Sequence, residues 1–282
     1  MAEWSKAHVW NTCDPQGSQS SNLCLTDFAP LNLIIMQKPQ QYEAILHSHN
    51  YSPNHQVDFV RIKINDPQFV FEEGQFVMIR VEINGVLVKR SYSIATSFSQ
   101  FQEDQTLGFI IKLVPDGMFT TWLWNTAQIG EKMTIIWALG HMKLPEDTHN
   151  KNFVLISTGS WISPIYGLFS KLLDTQQYQN IYHLHGEKSE QWFVKEEIPL
   201  LTHNGANISN TLCLSREEEV KYPNQYNGYV TQKLQESFGE WLDTIQWEIL
   251  CYICGKPEIV NEIVDQLVVF GIQKDSIKCE KY

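Results

Sequence analysis

The chain has 282 residues, which corresponds to about two domains. Hydrophobic residues make up 43% of it and charged residues 19%, excluding collagen-like, low-complexity and disordered classes. Lys and Arg number 21 against 32 Asp and Glu, and the net charge of -11 has the wrong sign for a nucleic-acid binder. No apolar run approaches the roughly 18 residues of a membrane span. The longest, residues 31–36, is interrupted by Asn32. No basic stretch leads into an apolar core at the N-terminus, so no signal peptide is expected. Six cysteines in a chain this long do not make a disulfide scaffold, and a reduced, cytoplasmic protein is the expectation.

Residues 1–40 show no period of 2 or 3.6 and read as an irregular leader. From Tyr42 to Leu144 the pattern is β: residues 57–64, 75–83, 86–94, 107–114 and 133–138 are rich in Val, Ile and Phe and separated by turn residues. Asn84-Gly85 is a type I′ hairpin signal that pairs 75–83 with 86–94. Phe119, Leu123 and Ala127, four apart, suggest a short helix. Beyond Pro145 the rhythm changes to strands alternating with helices. Strands are expected at 153–157, 181–185, 211–215 and 248–253. Ser163-Pro164 predicts a helix start, with Ser as N-cap and Pro at the first position. Residues 257–270 predict a second helix closed by Gly271. The fold class expected is α+β in two domains: an antiparallel β-barrel over 41–148, then a doubly wound parallel α/β sheet over 149–282.

Three segments carry chemistry. Arg90-Ser91-Tyr92-Ser93 places a guanidinium and a phenol on one strand face, a pair able to hold a phosphate and cover a flat ring. Val114-Pro115-Asp116-Gly117-Met118-Phe119-Thr120 runs a turn into a helix N-terminus, where backbone N–H groups suit a pyrophosphate. Ser157 to Pro164 joins the first α/β strand to its helix, where doubly wound sheets bind nucleotides. Each segment alone also reads as ordinary structure: an edge strand, a turn, a helix entry.

Together and in this order, the segments resemble the ferredoxin–NADP reductase superfamily, most closely the bacterial ferredoxin (flavodoxin)–NADP reductases, from about Tyr42 to Tyr282. Arg90-Ser91-Tyr92-Ser93 matches the R-x-Y-S flavin motif, and Met118-Phe119-Thr120 is similar to the second FAD segment. Thr158-Gly159 with Pro164 resembles the nucleotide loop, and Ser215-Arg216 the strand end that meets the 2′-phosphate of NADP. Cys254-Gly255-Lys256-Pro257 resembles the turn below the nicotinamide, and Glu280-Lys281-Tyr282 the E-x-Y terminus. The resemblance implies an FAD- and NADP(H)-dependent oxidoreductase passing electrons to or from ferredoxin or flavodoxin by hydride transfer at flavin N5. Ser93, Cys254 and Glu280 would line the catalytic site. Arg90, Ser91, Tyr92, Ser93, Met118, Phe119, Thr120, Thr158 and Tyr282 would hold FAD. Thr158, Gly159, Lys188, Ser215, Arg216, Cys254 and Gly255 would hold NADP. A monomer with no nucleic-acid partner, membrane span or metal is expected.

The chain also departs from that pattern. Trp161 stands where the family usually has a small residue, Tyr229 replaces an Arg, Lys188 stands for another, and Glu217–Glu219 add negative charge beside Arg216. Two alternatives follow: a reductase of flavins or small acceptors, and a flavoprotein electron-transfer subunit whose nucleotide cleft Trp161 plugs. Cys251 and Cys254 would face opposite sides of a strand, which argues against metal ligation. His47-x-His49 and His183-x-His185 lack an apparent third ligand.

Overall fold

The computed structural model describes residues 40–52, 56–189, 205–246 and 248–281. The leader up to residue 39 and Tyr282 lie outside the described residues. Period-2 alternation of apolar side chains builds the first lobe. β1 (Gln41–Ser52), β2 (Val57–Ile64), β3 (Phe76–Ile83), β4 (Val86–Ser93), β5 (Thr106–Lys112) and β6 (Lys132–Leu139) form one antiparallel sheet. Its order is β4-β3-β6-β1-β2-β5. Val77, Ile79, Val81 and Ile83 of β3 share a core with Ile62 and Ile64 of β2. The sheet curls towards a barrel, and just past β4 the Ala95 N–H donates to Gly108 O of β5 at 2.8 Å. The β3–β4 turn forms as predicted, with Asn84 and Gly85 both at positive φ. α1 (Phe98–Asp104) and α2 (Met118–Asn125) add Phe101, Phe119 and Leu123 to the same core.

The second lobe is a parallel sheet in the order β10-β9-β8-β7-β11-β12. It contains β7 (Asn152–Thr158), α3 (Ile162–Thr175), β8 (Asn180–Glu187), β9 (Ile208–Leu214) and β10 (Gln225–Asn227). α4 (Val230–Asp243), β11 (Ile249–Gly255), α5 (Pro257–Val269) and β12 (Ile277–Lys281) complete it. Both sheet faces are buried: Phe153 and Leu155 pack with α3, while Val154 and Ile156 pack with α4 and α5. Cys254 and Cys251 belong to these two opposite cores, as strand alternation requires. Gly271, at φ 91°, follows the end of α5 as predicted.

One boundary is corrected. α3 does not begin with Ser163 as N-cap and Pro164 at the first position. Gly159, at φ 59°, turns the chain directly after β7, and a 3-10 turn (Gly159–Trp161) starts the winding early. Trp161 is the N-cap residue, so Ser163 and Pro164 are second and third in the helix. Pro164 is tolerated there because first-turn N–H groups have no acceptor within the helix. Ser163 Oγ donates back to Ser160 O at 3.4 Å.

The lobes share an apolar cluster: Val57, Phe59, Ala95 and Ile110 of the barrel pack with Ile162, Ile165 and Phe169 of α3. Polar contacts line the same seam. The Glu73 carboxylate, 4% exposed, accepts from Phe98 N–H at 2.8 Å and pairs with Lys171 Nζ at 2.9 Å. Ser97 Oγ donates to Asp174 at 3.0 Å, and Tyr252 OH donates to Lys143 O at 2.9 Å. Gly74 sits so close to Met142 that an added Cβ would lie 1.7 Å from its carbonyl oxygen. Among the described residues, no helix is long and apolar enough to cross a membrane.

Candidate cofactor and nucleotide site

In the barrel lobe, β4 is an edge strand, so its outer side keeps backbone groups outside the ladder. Arg90 and Ser91 are exposed, and Tyr92 and Ser93 are half-buried. Arg90 Nη1 donates to Lys89 O at 2.7 Å, a contact that leaves most of the guanidinium's five donors available. Tyr92 packs on Phe119 with ring centroids 5.4 Å apart, which brings the first and second motifs together. Burial raises the Tyr92 phenol above its usual range, with Arg90 opposing the shift. The phenol is therefore neutral at physiological pH.

The second motif is held by its own hydrogen bonds. Asp116 adopts φ 61° and Gly117 N–H donates to Val114 O at 3.0 Å. Buried Thr120 Oγ1 accepts from Val114 N–H and lies 3.2 Å from Val114 O and Gly117 O. That closure aims the start of α2. The first helical bond runs from Thr121 N–H to Gly117 O at 2.8 Å, so the N–H groups of Met118, Phe119 and Thr120 precede the ladder. An exposed Arg, a neutral aromatic ring and a helix N-terminus in one place fit a flavin bearing a pyrophosphate.

A cleft of about 1030 Å³ opens between the lobes. Gln56, Val57 and Lys112 line it from the barrel, and the ends of β7, β8 and β9 line it from the parallel sheet. Thr158, Gly159, Lys188, Ser215 and Arg216 all border it, gathered from three strands. The gathering is backbone work: Ser215 N–H donates to Glu187 O at 2.9 Å and Arg216 N–H to Lys188 O at 2.9 Å. Thr158 Oγ1 is buried and makes no hydrogen bond among the described residues. Trp161 borders the cleft but packs on the apolar cluster beneath α3.

Cys254 and Glu280 come together, facing each other in the β11–β12 register. Burial, with help from Glu280 and Cys279, raises the Cys254 thiol well above its usual range and keeps it protonated. Gly255, next in β11, touches the nucleotide loop: an added Cβ would lie 3.0 Å from Thr158 Oγ1. Ser93 ends β4 opposite Phe76. Sequence reasoning passed over Lys112 and Glu187 and gave Lys256 no role of its own within the Cys254-Gly255-Lys256-Pro257 turn; all three border the cleft. Lys256 was legible from its place after Cys254-Gly255, and Glu187 from sharing a strand face with His185.

This arrangement, a flavin-suited barrel beside a parallel sheet with a nucleotide cleft, defines a two-domain flavin- and nicotinamide-dependent oxidoreductase. Residues 44–144 match the oxidoreductase FAD-binding domain family and residues 155–265 the oxidoreductase NAD-binding domain family. The chain belongs to the ferredoxin–NADP reductase superfamily, with FAD and a nicotinamide nucleotide as its cofactors. It is 28% identical over 218 residues to a ferredoxin–NADP reductase of Azotobacter vinelandii, covering 74% of this chain and 82% of that one. It is 24% identical over 216 residues to the toluate 1,2-dioxygenase electron transfer component of Pseudomonas putida. That match covers 76% of this chain but 60% of the relative. A ferredoxin NADP+ reductase from Neisseria gonorrhoeae, solved with FAD and NADP, shares the fold at a TM-score of 0.69 and 18% identity. The superposition covers 86% of this chain and 99% of that one.

Proposed function

We propose that this protein transfers electrons between NADP(H) and a one-electron protein carrier, a ferredoxin or flavodoxin. The observation that carries the reading is the convergence of the two half-sites. Arg90, Tyr92 and the α2 N-terminus converge in one lobe, and Thr158, Gly255 and the Cys254–Glu280 pair converge at strand ends of the other. In this reading residues 41–148 are the flavin lobe and 149–282 the nucleotide lobe. The description of the Pseudomonas putida relative as an electron transfer component supports a protein acceptor.

Bound FAD supplies hydride exchange at N5 and stepwise electron release. The chain's own residues position and shield. Arg90, Ser91 and the N–H groups of Met118, Phe119 and Thr120 would hold the pyrophosphate and Tyr92 would pack on the flavin ring; the role expected for Tyr282 falls outside the described residues. Ser93, Cys254 and Glu280 set polarity at the reacting atoms; the protonated thiol is neither nucleophile nor base. Gly159, Lys188, Ser215 and Arg216 hold the NADP phosphates. The packing of Trp161 on the α3 core favours this reading over a plugged cleft.

Stopped-flow flavin reduction by NADPH and NADH is the decisive experiment, and a purified protein that ignores added FAD would end the reading. Arg90→Ala should weaken FAD binding by about 10- to 150-fold, the range for a hydrogen bond to a charged group. Arg216→Ala should lower kcat/KM for NADPH about tenfold and leave NADH unchanged; equal losses would make Arg216 structural.

A further inference from the structure

The outward face of the barrel lobe carries an apolar patch that starts beside Ser93. β3 turns Val77, Ile79 and Val81 into the core, so Phe76 and Met78 point outward and stay half-buried. Across the β3–β6 ladder Phe76 pairs with Leu139 and Met78 with Ile136, and the register skips Trp137. Trp137 is therefore the extra residue of a β-bulge; Ala138 after it is buried and Leu139 is outward again. Trp137 and Leu139 are each 45% exposed, flanked by the half-buried Phe76, Met78 and Ile136. A contiguous outward face with a Trp, a Phe and a Met has the composition of a protein interface rather than of open surface.

Charge narrows the partner. The next row of outward residues runs from Lys89 on β4 through Arg80 on β3 to Thr134 on β6 and Glu43 on β1. Arg80 and Lys89 stand directly opposite each other, an arrangement that disfavours the sheet by itself. Arg80 Nη2 donates to Thr134 Oγ1 at 3.2 Å, but neither cation is ion-paired among the described residues. In a chain of net charge -11, the β4 side of the patch is locally cationic, and an acidic partner complements it. Position decides what kind of partner. Phe76 also pairs with Ser93, the end of β4 proposed to face the reacting atoms of the flavin, so the patch begins one strand from that site. A carrier seated there has its redox centre close to the flavin, as a one-electron transfer requires. We infer that the face formed by Met78, Trp137 and Leu139, rimmed by Arg80 and Lys89, docks an acidic one-electron carrier protein. The inference rests on the proposed electron transfer to a carrier and gives that carrier a docking surface.

The test assays the full chain, loaded with FAD and driven by NAD(P)H, on protein and small acceptors. The carriers are an acidic two-iron ferredoxin and an acidic flavodoxin; the small acceptor is menadione, a neutral quinone that needs no docking face. Trp137→Ala should lower kcat/KM about tenfold or more for whichever carrier is reduced, and leave menadione within about twofold. Lys89→Gln should lower the carrier value about threefold at low salt and flatten its salt dependence, which a merely structural loss would not do. Equal losses for carrier and menadione, or carrier turnover untouched by both substitutions, would overturn the docking surface while leaving electron transfer to a carrier intact. A wild-type dimer in sedimentation velocity that Trp137→Ala dissociates would also overturn it, by assigning the patch to a second copy of the chain. Wild-type protein that reduces menadione but neither ferredoxin nor flavodoxin would overturn the carrier reading and this inference with it.

Discussion

The two lobes meet in two different ways. Along the seam, the named buried polar atoms are matched: Glu73 by Phe98 N–H and Lys171, Ser97 by Asp174, and Tyr252 by Lys143 O. Across the cleft, Thr158 Oγ1 and Glu187 Oε1 are buried without a hydrogen bond among the described residues. Leaving such an atom unmatched costs about 1–3 kcal/mol. The seam therefore holds the lobes in place, while the cleft keeps its binding capacity for a ligand to satisfy. Stability and function are drawn from opposite edges of one junction.

The strongest challenge to that contrast is Gly74→Ala. At φ 87°, with an added Cβ 1.7 Å from Met142 O and 3.1 Å from Leu168 Cδ2 of α3 across the seam, the substitution should cost about 3 kcal/mol or more in urea unfolding. A loss under about 1 kcal/mol would show a seam that yields, and the contrast would fail.

Acid should act next, through His183, which packs on Phe169 and shares a hydrogen bond with Asn210 at 2.9 Å. Burial lowers its pKa from 6.5 to about 4, with Asn210 opposing and His185 adding to the shift. Between those values the unfolded chain takes up a proton that the native state refuses. The stability contributed by neutral His183 is thus whole above pH 6.5 and falls towards pH 4 by up to about 1.4 kcal/mol per unit. Unfolding measured across that window should show a slope that His183→Gln flattens; an unchanged slope would assign the acid sensitivity elsewhere.

The smallest effect should come from the cleft itself. Gly255→Ala puts a methyl 3.0 Å from Thr158 Oγ1. Nucleotide affinity should drop about tenfold, while unfolding stability changes by less than about 1 kcal/mol. A large loss of stability would mean that the cleft, like the seam, is part of what holds the lobes together.

Much of this molecule could be read from the chain. The β3–β4 hairpin followed from Asn84-Gly85, α5 from its apolar period and Gly271, and the division into a β lobe and an α/β lobe from the change of rhythm after Pro145. Other elements gave weaker signals. α1 has seven residues, and its mark was the capping box from Ser97 to Gln100. α4 buries Val230, Leu234 and Phe238 at intervals of four, but follows Tyr229, an unusual N-cap. β12 is the polar run Ile277–Lys281, a strand because β11 offers it an edge. Among the site residues, Arg90-Ser91-Tyr92-Ser93 and Met118-Phe119-Thr120 were visible as contiguous motifs.

What the amino-acid order determined by itself is local: which segments alternate with period 2 or 3.6, where turns need positive φ, and which short motifs place an Arg, a ring or a helix start. The tertiary structure alone decided what is shared between distant segments. It set Tyr92 against Phe119, Cys254 against Glu280 and Glu73 against Lys171, and it turned the Glu187 carboxylate into the cleft beside Gly159. The physical reason is that backbone dihedrals and side-chain periodicity are set by near neighbours. Burial, ion pairing and a vacant acceptor depend on residues tens of positions away, and those meet only when both sheets have closed on their common core.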